Sequence, residues 1–205
     1  IKEKGVCRPE DLSKIISDYS EKGKNIMLSS VKPIPDILLS KQINKRGELI
    51  VLSSELEMPF KTQYQTPKTL GADRLALVAG AVFVFSNKPV LIIDVGTCIT
   101  VDFVDDKKKH LGGSISPGLQ MRLKALSDQT SALPSVMLSE PHDLIGDSTE
   151  ESILSGVVNG ALKELDGTID DYKKRYPDIK VVITGGDLGF FDKKLKNSIF
   201  ADEDI

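Results

Sequence analysis

The chain has 205 residues, of which 40% are hydrophobic and 28% charged, and a formal net charge of −3, a composition typical of a folded globular protein. No apolar run approaches the roughly 20 residues of a membrane span, and the acidic balance with few aromatic residues argues against a nucleic-acid partner. The two cysteines, Cys7 and Cys98, lie far apart, which indicates no disulfide framework and predicts a reducing, cytoplasmic compartment.

The first quarter of the sequence predicts helices that alternate with short strands. Apolar residues recur on one helical face over residues 9–19, and a second helix is expected to begin at residues 36–39. Short apolar runs predict strands at residues 25–30 and 49–52. This alternation is typical of α/β proteins.

A polar loop, a long helix and a hairpin are predicted next. Residues 61–70 are rich in hydroxyl and amide side chains and predict the loop, whereas the apolar stretch at residues 71–86 predicts the helix. The continuous apolar run at residues 90–93 predicts a strand buried on both faces. The alternation at residues 99–104 predicts its hairpin partner, across a tight turn at residues 95–97.

The last part of the sequence continues the alternation. A third strand is predicted at residues 109–115, and Pro117 with Gly118 opens a helix. Apolar residues at i,i+4 spacing predict a long helix over residues 149–176, and residues 181–184 predict a further buried strand.

These elements predict the fold class and its division into domains. We expect an α/β protein with mixed sheets flanked by helices. A break is expected near residues 86–89, because a helix gives way there to a new strand. The predicted domains are residues 1–86 and residues 87–205.

The segment Asp94-Val95-Gly96-Thr97 follows the predicted strand directly. Its glycine lets the backbone approach an anion, and successive N–H groups of such a turn can hold a phosphate. The threonine hydroxyl adds a donor, and the aspartate could hold a cation. A hairpin turn whose aspartate caps its own backbone explains the segment equally well.

A second segment, Gly71-Ala72-Asp73-Arg74, begins the apolar helix. Arg74 offers a fork for a carboxylate or a phosphate, and Asp73 beside it could act as a general base on a hydroxyl. Taken alone, the segment favours a simpler interpretation, in which Asp73 is the N-cap of the helix.

Further small-residue turns lie at predicted strand ends or helix starts, at residues 112–118, 147–151 and 184–187. Turn geometry or a capping box explains each of them alone. Because such turns collect on one side of an α/β sheet, together they predict a phosphate-binding cleft.

Taken in order, these segments resemble those of the type III pantothenate kinases, members of the acetate kinase, sugar kinase, Hsp70 and actin superfamily. The resemblance covers most of the chain from Tyr64 onward. The motifs that carry it are GADRLA from Gly71, DVGTCITVD from Asp94, GGSISPGL from Gly112, LSDQTSALP from Leu126, STEESILSG from Ser148 and ITGGD from Ile183. It implies two actin-like (ribonuclease H-like) domains and ATP-dependent phosphorylation of pantothenate to 4'-phosphopantothenate, the first step of coenzyme A biosynthesis.

The resemblance also implies roles for single residues. Asp73 would be the general base for the pantothenate hydroxyl. Asp94 would hold a monovalent cation, K⁺ or NH₄⁺, and Gly96 and Thr97 would contact ATP, which carries Mg²⁺. The implied pantothenate-binding residues are Tyr64, Gly71, Ala72, Arg74 and Thr149. A homodimer is implied as well.

One motif of the family has no counterpart in this sequence. The family opens with a glycine-rich D-x-G-N-T-type phosphate loop, and nothing of that kind precedes Pro9. We therefore expect the sequence to be a piece of a longer protein, and a chain that began at Ile1 is expected to have no kinase activity. Two other functions stay open: a regulatory protein of the Bvg accessory factor type, and a non-catalytic ligand-binding protein on the same fold.

Overall fold

The computed structural model describes residues 8, 11–21, 25–30, 49–141 and 143–201. The chain forms two compact units. The first contains the described residues up to Met58 together with Gln65–Leu77, and the second contains Pro59–Tyr64 and the residues from Val78 onward. The predicted boundary between residues 86 and 87 stays a prediction.

The first unit contains a helix and a small parallel sheet. Helix α1 (Leu12–Glu21) buries Ile16, and strand β1 (Ile26–Leu28) pairs in parallel with β2 (Leu49–Val51). These elements confirm the first predicted helix and the first two predicted strands. The helix expected at residues 36–39 lies outside the described residues.

The segment predicted to be a polar loop contains regular structure, so that prediction is wrong in part. Lys61–Thr62 forms a short strand, β3, and Pro67–Thr69 forms a 3₁₀ helix before helix α2 (Ala72–Val84). The residues of β3 are both exposed. An exposed edge strand of this length has no hydrophobic periodicity, which is why the sequence pattern did not predict it.

A six-stranded mixed sheet forms the centre of the second unit, in the order β3-β6-β5-β4-β7-β8. Strand β4 pairs antiparallel with β5 and parallel with β7, and β5 pairs antiparallel with β6. The strands that follow β3 are β4 (Val90–Val95), β5 (Cys98–Val104), β6 (Lys109–Pro117), β7 (Lys180–Thr184) and β8 (Phe200–Ala201). The predicted mixed sheet and the predicted hairpin are confirmed.

Strand β4 lies inside the sheet because its residues are apolar on both faces. Leu91, Ile92 and Ile93 are each at most 2% exposed. Burial of one such side chain contributes about 1.5–3 kcal/mol. This strand therefore anchors the loops that follow it.

Helices of the second unit cover the sheet. After α3 (Leu119–Gln129), a long helical segment runs through α4 (Thr149–Leu154), a π turn (Ser155–Asn159) and α5 (Gly160–Arg175). The long helix is confirmed, and the π turn is a local widening that the apolar spacing did not indicate. None of the helices in the described ranges is long and apolar enough to cross a membrane.

Candidate functional site

The turn between β4 and β5 places a carboxylate and a glycine at the end of a buried strand. Asp94 lies beside Thr184 of β7 in the sheet register. The amide of Gly96 donates to the carbonyl of Cys98 at 3.1 Å, which closes the turn. Thr97 is exposed at the tip, so its hydroxyl is accessible to a ligand.

A second turn, which follows β7, packs against the first. Gly185 has a φ of +108°, and a side chain at this position would overlap the Asp94 carboxylate and the Val95 carbonyl. The amide of Asp187 donates to the Val95 carbonyl at 2.9 Å. Glycine is required at position 185 both for the left-handed backbone and for this close approach.

The N-terminus of α3 meets the same turn. Gly118 is the N-cap residue of α3, and its amide donates to the Thr97 carbonyl at 3.1 Å. A side chain on Gly118 would overlap the carbonyl oxygens of Gly96 and Thr97. A helix N-terminus carries N–H groups without helical partners and a partial positive charge, which suits a phosphate. We call Asp94–Thr97, Gly118 and Gly185–Asp187 the glycine-turn cluster.

Besides backbone N–H groups, the glycine-turn cluster contains the carboxylates of Asp94 and Asp187. Asp187 is partly buried, and burial raises the pKa of its carboxyl. No group of three or more His, Cys, Asp or Glu side chains that could hold a metal ion occurs among the described residues. The Asp94 carboxylate and the Val95 carbonyl both face the Gly185 position, and oxygen atoms of these kinds suit a hard cation.

A hydrogen-bonded group holds the segment just before Gly118. The Ser116 hydroxyl donates to Glu164 at 2.6 Å, and the Arg122 guanidinium donates to Glu164 at 2.5 Å and to the Pro117 carbonyl at 2.8 Å. Burial raises the pKa of the Glu164 carboxyl, but the hydrogen bonds from Ser116 and Arg122 outweigh burial and bring the pKa below its ordinary value. The ionised form of Glu164 thus stabilises the folded protein.

Glu164→Gln is expected to remove a pH-dependent part of this stability. Because the folded pKa is lowered, the contribution is fully present above the unfolded pKa and is lost as the pH falls through the folded pKa. The Glu164 side chain is 38% exposed, so solvent screening limits the effect to about 1 kcal/mol or less. Thermal unfolding should show a lower Tm for the variant at pH 7 and a smaller difference near pH 3. Glu57→Gln, at an exposed carboxylate, is the control; an equal gap at both pH values would contradict the assignment.

The GADR segment begins helix α2 in the first unit. The Gly71 carbonyl accepts the amide of Leu75 at 3.1 Å, so Gly71 is the N-cap, and the prediction that Asp73 caps the helix is wrong. The Asp73 carboxylate accepts the Arg74 amide at 2.8 Å and is exposed. Ala72 and the Arg74 residue are buried. The exposed carboxylate is accessible to a substrate hydroxyl.

Thr149 is the first residue of α4 and is exposed. The neighbouring Ser148 hydroxyl accepts the amide of Glu151 at 3.2 Å, which confirms a capping interaction at this helix start. Thr149 lines an open groove of about 1190 Å³ together with Met121 and Leu133. The groove belongs to the second unit and is mainly apolar.

Tyr64 lies two residues beyond the end of the short strand β3. Its ring stacks on the imidazole of His110, with ring centroids 6.2 Å apart. The sequence analysis did not single out His110 or its buried partner Asp102. Two signals in the sequence pointed to this pair. Asp102 is a charged residue in the alternating run of a predicted strand, and His110 is one of only two histidines in the chain.

The glycines of the GGSISPG segment serve different purposes. Gly113 lies so close to the Val101 carbonyl that no side chain fits there, and Gly112 has a φ of +105°. These two glycines therefore allow strand packing, and only Gly118 at the end of the segment belongs to the glycine-turn cluster.

Comparison with solved structures defines the class of protein. The chain is similar to the crystal structure of a conserved protein described as a Baf family transcriptional activator from Campylobacter jejuni. The TM-score is 0.59 at 25% sequence identity, with 92% of this chain and 81% of that chain covered. With its mixed sheets and flanking helices, the protein has the predicted mixed α/β fold, which is similar to the fold of that structure.

Comparison of sequences defines the family. A family model described as type III pantothenate kinase matches residues 9–171. The type III pantothenate kinase of Flavobacterium johnsoniae is 42% identical over 202 residues, which cover 98% of this chain and 83% of that one. That of Christiangramia forsetii is 48% identical over 179 residues, which cover 87% and 73%. The chain belongs to the type III pantothenate kinase family.

Proposed function

We propose that the two substrates bind to different parts of this chain. The glycine-turn cluster binds the phosphates of ATP, and the segment Gly71–Arg74 binds pantothenate. The reaction follows from the family: the enzyme phosphorylates pantothenate in coenzyme A biosynthesis. The phosphate donor is ATP with Mg²⁺. The division of roles rests on the contacts described above.

The packing of glycines around Asp94 carries the ATP part of the proposal. Gly118 and Gly185 both lie too close to the β4–β5 turn to accept a side chain, so their packing fixes the turn that presents Gly96 and Thr97. Gly96 and the Thr97 hydroxyl contact the phosphates. Asp94 holds K⁺ or NH₄⁺, which when bound offsets phosphate charge beside the carboxylate.

The acceptor side is assigned to Asp73. Phosphoryl transfer depends on positioning and charge neutralisation more than on covalent chemistry. The exposed Asp73 carboxylate orients the primary hydroxyl of pantothenate and takes its proton as the bond to phosphorus forms. The residues that bind the rest of pantothenate are Tyr64, Gly71, Ala72, Arg74 and Thr149.

The kinase activity and its cation are tested together in an assay of ADP release by the full-length protein. We expect ADP release that requires pantothenate and is at least about tenfold faster in K⁺ or NH₄⁺ than in Na⁺ at equal ionic strength. Asp94→Asn should abolish the difference between the cations. A rate that is the same in all three salts, in the wild type, would contradict the cation site and leave the kinase assignment intact.

We also propose that the enzyme is a homodimer. We place the interface at the consecutive residues Leu144 and Ile145 and at Met137, each more than 60% exposed, because contiguous exposed apolar surface marks interaction sites whereas single exposed residues do not. Light scattering of the full-length protein should give twice the mass of one chain. Ile145→Lys should shift the mass toward that of a monomer, whereas Leu56→Lys, at an exposed residue of the first unit, should not.

A transcriptional role is not favoured. The Campylobacter jejuni protein is described as an activator, but the curated relatives are pantothenate kinases. The net charge of −3 also gives no electrostatic reason for DNA binding.

A further inference from the structure

Two buried side chains, His110 and Asp102, form a hydrogen-bonded pair that the proposed reaction does not use, and the His110 ring contacts Tyr64. His110 is 0% exposed and Asp102 is 2% exposed. The His110 Nε2 atom lies 2.7 Å from Asp102 Oδ1. Burial of a carboxylate is costly unless its hydrogen bonds are satisfied, so the position of this pair needs a physical reason.

The hydrogen bonds around His110 form a chain with one direction. Thr62 Oγ1 lies 3.0 Å from His110 Nδ1, and the amide of Tyr64 donates to Thr62 Oγ1 at 3.1 Å. With Asp102 as the acceptor, Nε2–H is the donor, and Nδ1 is left to accept the Thr62 hydroxyl proton. The chain thus begins at a buried carboxylate and ends at the backbone amide of Tyr64.

Ring contacts hold the Tyr64 side chain at the same place. The Tyr64 and His110 rings are nearly parallel, at 12°. The Tyr64 ring also packs against the backbone of Gly112, because a methyl group added at that glycine would lie 3.5 Å from the ring. Phe60 contacts the same imidazole edge-on, at 5.9 Å between centroids.

Tyr64 lies two residues beyond the end of strand β3. Strand β3 ends at Thr62, and the Gln63 amide donates to the His110 carbonyl at 2.8 Å. The Tyr64 amide donates to the Thr62 side chain, as described above. The hydroxyl–imidazole–carboxylate chain is therefore bonded to the backbone of Tyr64, and its imidazole also stacks on the Tyr64 ring.

We propose that Asp102, His110 and Thr62 are positioning residues that set the Tyr64 side chain for pantothenate. The inference rests on the proposed role of Tyr64 as a pantothenate contact. Thr62 is exposed and its hydroxyl bonds His110, so its replacement by a side chain of the same shape tests positioning without disturbing the core. Asp102 and His110 lie in the core, where a substitution would also change folding.

The test is a double-mutant cycle on the full-length enzyme with Thr62→Val and Tyr64→Ala. Thr62→Val removes the hydroxyl at constant shape and should raise the KM for pantothenate about tenfold, the effect of one lost hydrogen bond. The KM for ATP should change less than about twofold. Thr62→Ser restores the hydroxyl and should return the KM for pantothenate to near the wild-type value.

Coupling to Tyr64 separates positioning from general structure. If Thr62 acts through Tyr64, Thr62→Val should have no further effect on the KM for pantothenate in the Tyr64→Ala background. Additive effects of the two changes, or an equal rise in the KM for ATP, would overturn the inference. A Tyr64→Ala enzyme with an unchanged KM for pantothenate would instead overturn the proposed contact itself.

A spectroscopic measurement is independent of turnover. The His110 Nε2 proton, shielded from solvent and bonded to a carboxylate, should give a slowly exchanging downfield proton resonance that persists in Thr62→Val. Pantothenate should shift the Tyr64 ring resonances in the wild type and in Thr62→Ser. Identical shifts on pantothenate addition in Thr62→Val would contradict the proposed positioning.

Discussion

Asp73→Asn is expected to lower kcat by about 10²- to 10⁴-fold, the range of a lost general base. The amide keeps the shape of the carboxylate and can still accept the Arg74 amide, the bond that measures 2.8 Å in the wild type, so the helix start is preserved. The amide cannot accept the substrate proton. Steady-state kinetics on the full-length protein should show little change in the KM for ATP, because the ATP contacts are assigned to other residues.

Asp106→Asn is the matched control for this change. Asp106 is an exposed aspartate of the β5–β6 turn, and the same substitution there should leave kcat within about twofold of the wild type, as for most surface changes. A kcat for Asp73→Asn within about tenfold of the wild type, in a folded protein, would show that Asp73 is not the base.

Gly185→Ala is expected to have the second large effect, on the glycine-turn cluster. The φ of +108° at this residue costs an alanine roughly 1–2 kcal/mol. The added methyl would also overlap the Asp94 carboxylate and the Val95 carbonyl, so the turn must move. We expect a loss of about 2 kcal/mol or more in the free energy of unfolding and at least a roughly tenfold rise in the KM for ATP.

The next residue supplies the control for that prediction. Gly186 is exposed, and a methyl group there would meet nothing within 4 Å. Gly186→Ala should therefore change stability by less than about 0.5 kcal/mol and should leave the KM for ATP nearly unchanged. Equal effects of the two alanine substitutions, measured by denaturant unfolding and kinetics, would contradict the role of close packing at Gly185.

Local sequence signals predicted the part of the fold that the glycine-turn cluster needs. The β4–β5 hairpin follows from a continuous apolar run, a glycine turn and an alternating run, all within neighbouring residues. The helix start at Gly118 and the turn at Gly185 were also identified from local patterns. The motif order then gave the family, because several weak signals at matching positions are more specific than one.

Contacts between distant residues could not be predicted in the same way. His110 bonds Asp102 within one hairpin, but its second partner, Thr62, is 48 residues away in the sequence. Strand β3 exists only because β6 pairs with it, and neither of its residues is buried. Helix capping by Gly71 rather than Asp73 depends on where the first helical hydrogen bond forms, which composition does not determine.

Phosphorus–proton correlation by NMR on the reaction product is the most direct test of what this chain does. Full-length protein with ATP, Mg²⁺, K⁺ and pantothenate should give a product whose phosphorus couples to the methylene protons next to the primary hydroxyl. The signal should be absent without pantothenate and greatly reduced with Asp73→Asn. Phosphate attached at the secondary hydroxyl, or inorganic phosphate as the only phosphorus product besides ADP, would contradict transfer to the primary hydroxyl.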